Sequence, residues 1–120
     1  MLTPRELERV RNHLDTFIAT VRPSPTHRGQ FDVSYVLSEF ALVINLHRAA
    51  GDTSVLTPHA CFKALYSEEP HGWLLYVVDD QGHWVPNESL VFSTDLSEAL
   101  IFAKALMPAE MQVDALRSAS

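Results

Sequence analysis

Between Trp73 and Val85 the chain reads Trp-Leu-Leu-Tyr-Val-Val, then Asp-Asp-Gln-Gly, then His-Trp-Val. The first run is apolar at every position and rich in aromatic and β-branched residues, which suits a strand. The four residues after it place Gly82 where a turn wants a positive φ. The pattern predicts a β-hairpin over 73–85. Its first strand has two apolar faces, with Trp73, Leu75 and Val77 pointing one way and Leu74, Tyr76 and Val78 the other. One face must enter a core. The second is either covered by a helix or left as an aromatic patch of the kind that anchors protein interfaces. Trp73, Tyr76, Asp79, Asp80, His83, Trp84 and Glu88 are therefore the candidate partner-binding residues.

The flanking segments change period. Thr3-Pro4-Arg5-Glu6 has the form of a capping box with proline at the first helical position, and Leu7, Val10, Leu14, Phe17, Ile18 and Val21 recur at helical spacing. A helix is expected from there to about Arg22, followed by a flexible Pro/Gly loop over 23–30. From Phe31 to Ala50 the apolar residues fit two periods. Val33, Val36, Leu37, Phe40, Ala41, Ile44 and His47 make a helical stripe with Gly51 as a cap, and a long buried helix is the expectation. The rival is a strand pair, in which Phe31, Val33, Tyr35 and Leu37 alternate with polar neighbours. Thr57-Pro58 resembles a second helix start, with Phe62, Leu65 and Tyr66 on helical spacing.

Leu90-Val91-Phe92 suggests a third strand, within 90–93. Thr94-Asp95 with Glu98 forms another capping box, opening a helix whose buried stripe is Leu96, Ala99, Leu100, Ala103 and Leu106. A short terminal helix from Pro108 and a frayed tail over 118–120 complete the reading. The architecture expected is α+β in a single domain: N-terminal helices, a small antiparallel β-meander made of hairpin 73–85 plus strand 90–93, and C-terminal helices.

Size and charge exclude several classes. A chain of 120 residues, 47% of them hydrophobic, is long enough to bury a core unaided, since single domains commonly run to ~100–150 residues. Its net charge of −6 argues against a general phosphate-backbone binder or a polybasic membrane-surface protein. That acidity is local. Residues 1–67 hold seven Lys and Arg against six Asp and Glu, whereas residues 68–120 hold two against nine. One cysteine, Cys61, cannot form an intrachain disulfide, and no apolar run is long enough for a signal peptide or membrane helix, so a cytoplasmic location is expected.

Catalytic and metal motifs are weak. His59-Ala60-Cys61 is an isolated H-x-C pair without the further ligands of a zinc site, and neither metal nor cofactor is expected. No serine stands in a nucleophile elbow, and Cys61 lacks the helix-start position that activates a thiol. Glu68-Glu69 and Asp79-Asp80 are adjacent acids whose side chains diverge, so they are not a glycosidase pair. An enzyme would need a concavity gathering at least two of His47, His59, His71, His83 and Cys61.

The order of helix 40–51, helix 57–66 and hairpin 73–85 resembles a winged helix. Its recognition helix, however, would have to fit in the acidic, proline-bearing segment 67–72. The expectation is a small acidic, non-catalytic protein-binding module of adaptor, inhibitor or chaperone type. It would form a homodimer or engage a basic protein surface, without direct nucleic-acid or membrane contact. The alternatives are a degenerate winged-helix or DNA-mimic protein and a small His/Cys-dependent enzyme.

Overall fold

The computed structural model describes residues 1–23, 31–49 and 56–107. Helix α1 runs over Pro4–Val21 and starts as its sequence dictates. The Glu6 N–H donates to Thr3 Oγ1 at 3.2 Å and the Thr3 N–H donates to Glu6 Oε1 at 3.0 Å, closing the capping box. Val10, Leu14, Phe17 and Val21 form its buried stripe.

The segment expected to be a long helix is instead a strand pair, β1 at Phe31–Leu37 and β2 at Ala41–Ala49, joined antiparallel with Val33 opposite Leu46 and Tyr35 opposite Ile44. Its reversal contains no glycine or proline. Ser38 Oγ makes the turn, accepting the N–H groups of Phe40 at 3.3 Å and Ala41 at 3.2 Å. The apolar residues satisfied both periods locally, and pairing with the next strand decided between them.

That next strand is β3, Leu56–Glu68, which takes the place of the expected helix at 57–66. Proline is tolerated here for a topological reason. Only residues 62–68 of β3 pair with the following strand, so among the described residues Pro58 lies where β3 has β2 alone for a neighbour, an edge-like position of the kind that admits proline. Ile44 pairs with Phe62 and Asn45 with Ala60, which makes Cys61 the extra residue of a β-bulge. Both helices required by a winged-helix arrangement are thus strands, and that arrangement is absent.

The expected hairpin is present as β4, His71–Val78, and β5, Trp84–Pro86, with Gly82 at φ +82° in the turn. The meander is therefore longer than expected and starts at Phe31. A two-residue strand β6, Phe92–Ser93, also pairs with β4, completing a six-stranded antiparallel sheet in the order β1-β2-β3-β4-β5. Between β5 and β6 the chain bows outward, and Leu75 of β4 is served by single bonds to Asn87 N and Val91 O.

Helix α2, Leu96–Ala105, begins at Asp95, whose Oδ1 accepts the Ser97 N–H at 2.9 Å. The expected reciprocal partner Glu98 turns back instead to the Ser93 hydroxyl, 3.2 Å away.

Both helices lie on one face of the sheet. The core joins Leu14 and Phe17 of α1 and Leu96, Ala99 and Leu100 of α2 to Val33, Leu42, Ile44, Phe62, Ala64, Trp73 and Leu75. The fold is a two-layer α+β domain with one helix described before the sheet and one after it. Among the described residues no helix is long and apolar enough to cross a membrane. Most of the expected loop 23–30, the helix from Pro108 and the tail 118–120 lie outside the described residues.

Candidate protein-binding surface

The pleat sends alternate side chains to the face that the helices leave open. Val36, Val43, Lys63, Tyr76 and Pro86 follow one another across β1, β2, β3, β4 and β5 in register, and Leu65, Leu74 and Phe92 form the adjoining row. None of these belongs to the core cluster or packs against it. Val36, at the sheet edge, is 59% exposed, and the others are half-buried by one another, apart from the exposed Pro86. In the middle the Lys63 ammonium lies 5.0 Å from the centre of the Tyr76 ring and 4.8 Å from that of Trp84, a double cation–π contact. Sequence reading missed Lys63. The available signal was a lone cation between Phe62 and Ala64, on the opposite face of an otherwise apolar strand segment.

The predicted partner-binding residues divide. Trp73 is core, 5% exposed, with its ring edge-on to Tyr66 at 5.4 Å, so it cannot anchor a partner. Tyr76 and Trp84 stand together on the open face. Asp79 is a turn residue: its Oδ1 accepts the N–H groups of Gln81 at 2.9 Å and His83 at 2.8 Å. Asp80, His83 and Glu88 are exposed, with Asp80 and His83 at the hairpin tip. The acids flank the aromatic pair along the chain, and the charged group set against the rings is the Lys63 ammonium.

A polar constellation closes the far end of the same face. Ser34 Oγ and His47 Nε2 are 2.7 Å apart across β1 and β2, and Asp32 is the register partner of His47. Such a serine–histidine pair is the core of a hydrolytic triad only if a carboxylate orients the other ring nitrogen. Here the Asp32 carboxylate is occupied elsewhere. It accepts Arg22 Nε at 2.9 Å and Nη2 at 3.0 Å in a two-pronged ion pair, and the Val33 N–H at 2.8 Å. Burial pushes the Asp32 carboxyl up. The Arg22 and Val33 hydrogen bonds, with the charges of Arg22 and His47, outweigh it and hold the group below its usual range. The Val33 bond also caps an outward-facing amide of edge strand β1.

The remaining titratable groups are dispersed. His59 is exposed on β3, and His71 meets the Tyr66 ring edge-on at 5.6 Å. Cys61 donates to the Ile44 carbonyl at 3.5 Å, and burial pushes its thiol up to about 11, the reverse of what a nucleophile needs. No hydrogen bond joins any two of His47, His59, His71, His83 and Cys61. Among the described residues no three His, Cys, Asp or Glu side chains are grouped to hold a metal ion.

Comparison with known proteins yields no curated protein and no solved structure that matches the chain. One family matches over residues 2–104, from the residue before the Thr3 cap to Lys104 in the last turn of α2, and so spans the whole sheet with both helices. The chain belongs to that family, the domain of unknown function DUF3024.

Proposed function

We propose that the chain is a non-catalytic protein-binding module that engages its partner through the open face of the sheet. The observation that carries this reading is the two-sided apolar character of β4. Trp73 and Leu75 use one side for the core, while Leu74 and Tyr76, with Trp84 beside them, form an apolar surface that no described element covers. Aromatic residues are the side chains from which interface hot spots are built, and a rigid sheet presents them with little ordering cost. Asp80 and Glu88 at the rim favour a partner with basic groups around an apolar centre, as the local acidity of residues 68–120 suggests. The single thiol, held protonated by burial, suits a reducing cytoplasmic setting.

The test is partner capture from the native host with the wild-type chain and with a Tyr76→Ala/Trp84→Ala double variant, alongside molar-mass measurement in solution. A partner protein, or a second copy of the chain, retained by the wild type and lost from the double variant supports the reading. A strictly monomeric protein that captures nothing overturns it.

A further inference from the structure

On the helix side of the molecule α1 and α2 diverge to leave an open groove of about 630 Å³. We propose that this groove is a docking site for an acidic amphipathic helix of a partner protein. Its charge is the first reason. In a chain of net charge −6, the charged side chains among the described residues lining the groove are basic, Arg9 from α1 and Lys104 from α2, with His13 beside them and no carboxylate among those described residues. Among the described residues neither Arg9 nor Lys104 is in an ion pair, so both charges are available to a guest. The floor is apolar, built from Phe17 and Leu100, and Ile101 stands 66% exposed at the margin as an uncovered aliphatic handle.

The shape selects the guest. The walls run from Arg9 to Thr16 on one helix and from Ser97 to Lys104 on the other, about 10 Å each at the ~1.5 Å rise of an α-helix. Two turns of a third helix match that length, presenting apolar residues at i, i+3 or i+4, and i+7 to the floor and carboxylates to Arg9 and Lys104. The groove is a trough rather than an enclosed cavity. A small ligand lying in it would remain largely hydrated, whereas an amphipathic helix needs to bury only one stripe. This surface lies on the opposite layer from the open sheet face, so the two sites can be tested separately.

The experiment uses the full chain and a displayed library of random helical peptides. Enriched sequences are expected to carry Asp and Glu flanking an apolar stripe. Their affinity is expected to fall at least tenfold in Arg9→Glu/Lys104→Glu, and to fall as salt rises from about 20 to about 200 mM. Replacing their acids by lysine is expected to restore binding to that variant. Ile101→Asp, an exposed substitution, weakens the same peptides, whereas Tyr76→Ala/Trp84→Ala leaves them unaffected. No enrichment, enrichment without acidic bias, or binders indifferent to both groove variants overturns the proposal, whatever becomes of the sheet face.

Discussion

The ring of Phe92 fills the space where a side chain on Gly72 would stand. An ideal Cβ built at Gly72 falls 2.7 Å from the Ser93 carbonyl oxygen and closer still to the tip of the Phe92 ring, and the backbone there has φ +155°. The glycine thus lets β6 close onto β4 and brings Phe92 to the open face. Gly72→Ala is expected to cost roughly 3 kcal/mol, from overpacking and backbone strain together, in a chemical-denaturation comparison. Adding Phe92→Ala does not rescue it, because the Ser93 carbonyl is backbone and cannot swing aside.

The two tryptophans are expected to behave oppositely. Trp73→Ala opens the core and costs roughly 3–5 kcal/mol. Trp84→Ala removes a half-buried ring and its contact with Lys63, and costs about 1 kcal/mol or less. Partner capture reverses the order, since only Trp84 faces outward. Denaturation midpoints measured beside a binding assay check both halves.

Asp32 gives acid sensitivity of a stated sign. Its folded-state pKa lies below the unfolded value, so its stabilisation is fully present above the unfolded pKa near ~3.9 and is lost as pH falls through the folded value. Arg22 is 42% exposed at the side chain, so solvent screens the pair and Asp32→Asn is expected to cost only about 1 kcal/mol at neutral pH. The stability gap between wild type and variant, read from unfolding curves at successive pH values, is expected to be constant near neutrality and to narrow as pH falls below about 4.

Cys61 is expected to alkylate slowly. With its thiol pushed up to about 11, the thiolate that reacts is scarce at neutral pH in the folded chain and abundant only near that value. Iodoacetamide labelling followed by mass is expected to accelerate at least tenfold when the protein is unfolded in urea at pH 8, where the thiol returns to ~8.5. Equal rates in the two states would show that burial does not govern this thiol.

Thr3→Ala is expected to cost about 1 kcal/mol by breaking the capping box, and Glu6→Gln less, since an amide oxygen still accepts the Thr3 N–H. Both effects are read from the denaturation midpoint.

What the sequence determined on its own is local. Thr3, Pro4 and Glu6 specify where α1 starts, and Asp95 specifies the start of α2, because a cap is satisfied by neighbours a few residues away. The hairpin was legible for the same reason, its turn and both strands lying within one short window. The strands at 31–49 and 56–68 were not. Residues such as Val33, Ile44 and Phe62 fit a helical stripe as readily as an alternating one, the Ser38 turn carries no glycine or proline signal, and Thr57-Pro58 mimics a helix start. Only the long-range pairing of β2 with β3 and of β3 with β4 separates the alternatives, since strand hydrogen bonds are made to residues that local pattern cannot see. The same pairing decided the candidate surface. Sequence alternation showed that β4 has two apolar faces, but the packing of both helices on one side of the sheet consigned Trp73 to the core and left Tyr76 and Trp84, with Lys63 between them, facing out.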